Sequence, residues 1–196
     1  MTTARISREQ RRDDTRRRLL AAARDRFEAS GFEGARLRDV AADAGVAPGT
    51  IFVHFADKRD LLHACLFDDL EATIDAAVAS GPPGLEAWLD HLCAALFAYY
   101  AARPKLSRVL LRESLVAEPP WNERFTAQVA RVHAAVASRF EDARWRGEVR
   151  GDARQFAAAF LSFYYFALLG AVQGAEHEPR RMVAGLLASY LEGGRP

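Results

Sequence analysis

Helical spacing runs through almost the whole of this chain and stops only where glycine or proline stands. Apolar residues recur at three- and four-residue intervals, sustained period-two alternation is absent, and β-branched residues are sparse. That pattern belongs to packed amphipathic helices, not to a sheet. The breakers are Gly31, Gly45, Gly81-Pro82-Pro83-Gly84, Pro104, Pro119-Pro120, Gly147 to Gly151, and Pro179. Between them nine helices are predicted, over 9–29, 37–44, 48–55, 58–80, 85–102, 105–116, 121–146, 152–174 and 179–192. The fold class is therefore all-α. With 196 residues, half of them hydrophobic, the chain can bury a core and fills one to two domains.

Several classes of function find no support. Cys65 and Cys93 are too few for a disulfide framework, and no CxxC or Cys/His ligand spacing is present. Both lie in apolar helical patterns and are expected as buried thiols. There is no GxSxG, no HExxH and no glycine-rich phosphate cradle, so no metal or cofactor is expected. The apolar run Leu19 to Ala23 is too short for a secretory signal, which makes a cytoplasmic location the expectation. The 21 residues from Gln155 to Ala175 carry no charge, and a spanning helix needs about 20 apolar residues. This run contains Gln155, Ser162, Tyr164, Tyr165 and Gln173, and much of it is alanine and glycine. A helix buried between the core and a partner subunit fits it better than a membrane span.

The first 62 residues have a character of their own. Leu19, Leu20, Ala23 and Phe27 form one stripe, and Leu37, Val40, Ala41 and Ala44 a second. Gly45 makes a tight turn with Val46 filling the space below it. Pro48 then opens the third helix at a position where its missing N–H costs nothing. Ile51 and Phe55, four apart, face inward. The result is a helix-turn-helix on a supporting helix. Residues 1–62 hold 13 basic and 10 acidic residues, against 14 and 16 in the remainder. Arg5, Arg8, Arg11, Arg12, Arg16, Arg17 and Arg18 crowd the first eighteen positions. Such an arm is either a solvated face or a phosphate-seeking one.

Residues 17–62 resemble the TetR family of bacterial transcriptional regulators. The resemblance is carried by Phe27, Gly31-Phe32, Arg38-Asp39-Val40-Ala41, Ala44-Gly45-Val46, Gly49-Thr50-Ile51, His54-Phe55 and the run Lys58 to Leu62. It covers about a quarter of the chain. It implies an N-terminal three-helix DNA-binding domain, residues 1–56, and a helical effector-binding and dimerisation domain, residues 57–196. It also implies a homodimeric repressor released from a palindromic double-stranded DNA operator by a small apolar or aromatic effector. Three departures stand out. Arg36 and Ala47 occupy positions where the family has helix-capping Ser or Thr, and Phe52 replaces a tyrosine.

With Ile51 and Phe55 inward, Gly49 and Val53 point outward, Thr50 and Phe52 flank them, and His54 lies nearer the rim. This small apolar face lacks bidentate hydrogen bonds to bases but can meet thymine methyls in the major groove. Arg38, Gly49, Thr50, Phe52, Val53, His54 and Lys58 are the expected DNA-contacting residues. Phosphate contacts should dominate, with shape readout adding specificity.

In the remainder, the expected dimer surface is Phe156, Phe160, Tyr164, Leu168, Val183, Leu186, Leu187 and Tyr190, two helices from each subunit making a four-helix interface. Expected effector contacts are Trp88, Leu92, Leu96, Tyr99, Tyr100, Glu113, Trp121, Phe125, Val129, His133, Phe163 and Phe166. Each of these also fits plain core packing. Two other readings stand beside this one. The chain is a regulator without effector response, or a ligand-binding helical module with weak DNA binding. A helical-bundle enzyme would need a constellation such as Glu113 with His91 or His133, and no spacing fixes those together.

Overall fold

The computed structural model describes residues 7–114, 118–175 and 178–193. Among them run α1 (Arg8–Gly34), α2 (Leu37–Asp43), a 3-10 turn (Pro48–Thr50), α3 (Ile51–His54), α4 (Lys58–Ser80), α5 (Leu85–Ala102), α6 (Pro104–Ser114), α7 (Trp121–Trp145), α8 (Ala153–Gln173) and α9 (Pro179–Gly193). Arg5 of the basic arm and the expected end of the sixth helix at 116 lie outside the described residues. The expected helix 48–55 is shorter in true α geometry, because a 3-10 turn precedes a single α turn. Gly31 breaks α1 as expected, at φ 70° and ψ 173°, and residues 32–34 form a separate turn after it.

Side chains fix the helix ends. Ser7 and Gln10 form a reciprocal capping box at α1, with Ser7 N to Gln10 Oε1 at 2.8 Å and Gln10 N to Ser7 Oγ at 3.1 Å. Asp57 accepts from Asp60 N at 2.8 Å to start α4, and Asp152 accepts from Gln155 N at 2.8 Å to start α8. At the end of α2, Gly45 N reaches Ala42 O and Val46 N reaches Ala41 O. This paired closure needs a left-handed residue, supplied by Gly45 at φ 67°.

One continuous core joins Leu19, Phe27, Val40 and Ile51 through α4 to Phe140, Phe160 and Leu187. Helix α4 belongs to both ends of the molecule. Near its start, Cys65 Sγ lies 3.8 Å from Leu20 O, and Arg24 Nε donates to Cys65 O at 3.3 Å. Further along, Leu70 and Ile74 face α5, α7 and α8. Both cysteines are free and buried, and burial pushes each thiol up to about 12.

Helix α8 is long and apolar enough to cross a membrane, with a mean hydropathy of 1.6. It packs against α7 and α9, and this packing corrects the expected dimer surface. Phe156, Phe160, Tyr164, Leu168, Val183 and Leu187 are buried inside the protomer. Only Leu186 and Tyr190 of the expected set are exposed, and they are joined on the outside by Phe166 and Leu169. The reason is that α8 is apolar on nearly every side. Its bulkiest i, i+4 stripe faces its own neighbours, and spacing alone cannot choose between stripes.

Candidate nucleic-acid interface and interior cavity

The reading face follows from two anchors. Ile51 and Phe55 are buried, which turns Phe52 (61% exposed) and Val53 (66%) to the outside. Gly49 is exposed, while Thr50 and His54 are half-buried at the edges. A Cβ placed on Gly49 would meet nothing within 4 Å, so the protein's own packing does not call for glycine there. The anchors are braced from α1. Arg18 Nη1 donates to Ala44 O at 2.8 Å, and Arg26 forks onto the Asp43 carboxylate. The Arg16 guanidinium lies 4.8 Å from the Phe55 ring centroid. Neither Arg36 nor Ala47 makes a side-chain cap, as their side chains dictate.

Cations border this face. Burial first, then the Arg12 and Arg16 guanidinium groups, hold the His54 imidazole below its ordinary value, so it is neutral at pH 7. Arg8 and Arg12, one helical turn apart, continue along α1 toward its N-terminus. Lys58 is partly committed to the fold. Its Nζ donates to Glu33 O at 3.2 Å and sits 4.6 Å over the Phe32 ring. An ammonium has three donors, so two remain. Arg38 is exposed, with only a 3.4 Å approach to Asp39.

The interior differs more from expectation. Leu96, Tyr100, Phe125 and Val129 line a small cavity of about 30 Å³ between α4, α5, α7 and α8. The other expected effector residues are elsewhere. Trp88 is fully buried, its Nε1 aimed at Val78 O at 3.5 Å, and Leu92 is core. The Tyr99 hydroxyl donates to Leu66 O at 3.1 Å. Glu113 pairs with Arg59 and Arg112. Trp121 stacks on His63 and Phe67 at 5.3 and 5.4 Å. His133 Nε2 lies 3.1 Å from Arg154 O, Phe163 packs near Tyr190, and Phe166 is 67% exposed. Aromatic content therefore marked packing, and position decided which rings reach the cavity. Gln128, Tyr164 and Tyr165 also line it. Gln128, a buried amide on the inner face of α7, was a signal the sequence held.

A polar tie links head and interior. Arg16 Nη2 donates to Asp68 Oδ2 at 2.9 Å, and Arg124 Nη2 donates to Asp68 Oδ1 at 2.8 Å. Arg124 also forks onto Glu71 at 3.1 and 2.7 Å, holding that carboxyl below its ordinary value. His63 lies buried nearby, and burial, opposed by Glu113, lowers its affinity for a proton.

A family model described as bacterial regulatory proteins, tetR family, matches residues 19–65. The transcriptional regulator UidR of Escherichia coli is 27% identical over 142 residues, 70% of each chain. A transcriptional repressor of Mycobacterium tuberculosis is 29% identical over 173 residues, 87% of this chain and 88% of its own. The structure of the repressor FadR from Thermus thermophilus in complex with lauroyl-CoA superposes with a TM-score of 0.67 at 21% identity, covering 92% of this chain and 95% of that one. The helix-turn-helix, the shared α4 and these matches agree: residues 19–65 are a DNA-binding domain of the tetR family of bacterial regulatory proteins, and the chain resembles regulators of that family over most of its length.

Proposed function

We propose that this TetR-family transcriptional regulator is a homodimeric repressor that holds a palindromic operator and releases it when a small, largely apolar effector enters the α4–α5–α7–α8 cavity. In this reading residues 1–56 are the reading head, and residues 57–196 bind effector and partner in the cytoplasm. The observation that carries it is the exposed Gly49–Val53 face, rigidly braced from behind and bordered by Arg12, Arg38, His54 and Lys58. Phe52 and Val53 meet thymine methyls, the backbone at Gly49 approaches the duplex, and the cations take phosphates. The partner covers Phe166, Leu169, Leu186 and Tyr190, large apolar side chains left exposed on α8 and α9. Two heads on one dimer match two half-sites a helical turn apart.

Release works through α4. A ligand that parts α4 from α7 strains the Arg16–Asp68–Arg124 tie and shifts α1 with the head. Coupling of this kind amounts to about 1–3 kcal/mol. The cavity's small volume favours a second reading, a DNA-binding regulator without effector response. The test of DNA binding is fluorescence anisotropy on a labelled duplex between 50 and 200 mM salt. A phosphate-clamping head predicts a fall in affinity of about 10³-fold, and a flat profile contradicts it.

A further inference from the structure

Two residues that line the interior cavity each hold a buried polar atom that the chain itself leaves unpaired. Gln128 is 3% exposed and Tyr164 4%, and both line the cavity. Gln128 Nε2 donates to Phe67 O at 3.1 Å, and the Gln128 amide also lies against the Glu71 carboxylate. Both partners can only accept, so the amide nitrogen is on the α4 side and Oε1 is on the opposite edge. Oε1 has no partner, and neither does the Tyr164 hydroxyl. Buried orphan atoms are expensive, and a native fold keeps few of them. Two on residues that line one cavity call for a partner that enters from outside the chain.

The rest of the wall limits what that partner is. Among the described residues it is built from Leu, Ile, Val, Phe and Tyr side chains, with no carboxylate, ammonium or guanidinium lining it. Glu71, beside the Gln128 amide, is already paired with Arg124. An ion placed here would lose its hydration and find no countercharge.

We propose that the effector is an uncharged, mainly apolar molecule bearing one hydroxyl or phenol, which donates to Gln128 Oε1 and accepts from the Tyr164 hydroxyl. The proposal rests on the effector-released reading above and names its ligand class. A cavity of 30 Å³ has room for about one water. A ring or chain enters by displacing Phe125 and Tyr165, the half-buried aromatics of the wall.

The test uses the full chain and matched probes on three skeletons: 2-naphthol, 4-phenylphenol and 1-decanol, each with its methyl ether and its carboxylate counterpart. Binding is read by calorimetry at pH 7.5. On at least one skeleton the hydroxyl compound should bind ten-fold or more tighter than both its ether and its carboxylate. Gln128→Leu should remove the preference over the ether, because only the hydroxyl compound donates to Oε1, and Tyr164→Phe should weaken hydroxyl compound and ether alike by about five-fold, because both accept from Tyr164. Tyr164→Phe, which deletes only an unpaired hydroxyl, should fold with an unchanged or raised Tm, so the comparison does not depend on the glutamine variant folding. Carboxylates binding as tightly as the alcohols, no binding by any probe, or unchanged alcohol affinity in Tyr164→Phe would each overturn the proposal. Operator anisotropy on the same samples separates the two claims. An alcohol that binds with the stated preference but leaves operator bound retains the site and refutes its role in release.

Discussion

The reading head and the helical remainder were both encoded as apolar residues at helical spacing, yet they became legible to different degrees. In the head, short helices leave one possible inward pair. Once Ile51 and Phe55 turn in, Phe52 and Val53 must turn out. In the remainder, long helices such as α8 are apolar on several sides, and burial is shared among competing stripes. Phe160 and Phe166 look alike in the sequence, but one is buried and the other is 67% exposed. A function placed by exclusion on a small motif can be read locally. A function placed on one side of a uniformly apolar helix depends on neighbours far away in sequence.

That contrast breaks most sharply on the α8 pair. Phe160→Ala should cost about 3–5 kcal/mol of stability, seen as a lower denaturation midpoint. Phe166→Ala should change protomer stability by less than about 0.5 kcal/mol and instead weaken self-association in sedimentation. Equal losses of stability would erase the distinction between the two stripes.

The head offers the next largest effect. Val53→Asp puts a carboxylate on the exposed face proposed to enter the major groove of a polyanion. It should reduce duplex affinity about 100-fold with an unchanged Tm, as measured by anisotropy and thermal melting. A large drop in Tm would mean that Val53 supports the fold and not the contact.

Smaller effects test the joint between the regions. Arg124→Met leaves Asp68 and Glu71 side by side without their shared cation. The expected loss is about 1 kcal/mol of stability, together with faster hydrogen exchange in α1, which Arg16 no longer ties through Asp68 to α7. Unchanged exchange in α1 would show that the tie does not hold the head.

His63 gives the smallest signal. Burial lowers its pKa below the ordinary 6.5, so the unfolded state binds the proton more readily. The stabilisation is complete above pH 6.5 and declines as pH falls below it. Tm should therefore drop more between pH 7.5 and 5 in the native chain than in His63→Phe. Parallel profiles would remove His63 from the account.

The physical limits of sequence reading show in particular residues. Helix ends were legible at Gly31, Gly45 and Pro48, which act within a turn of themselves, while the Asp57 and Asp152 caps emerge only in the structure. The helix-turn-helix face was legible for the same reason. The cavity was not, because Trp88, Trp121 and His133 resemble ligand contacts in type yet are used up by Val78, His63 and Arg154. Gln128 was passed over because one amide on a long helix gains meaning only when Phe67 fixes its nitrogen from another helix.

Whether the Gly49–Val53 face reads DNA is measured by selection from a random double-stranded DNA library with the purified 196-residue chain at moderate salt. A palindrome whose half-sites lie about one helical turn apart should be enriched, and Val53→Asp should lose that enrichment. A folded, dimeric protein that enriches no sequence would contradict the claim that the Gly49–Val53 face reads DNA.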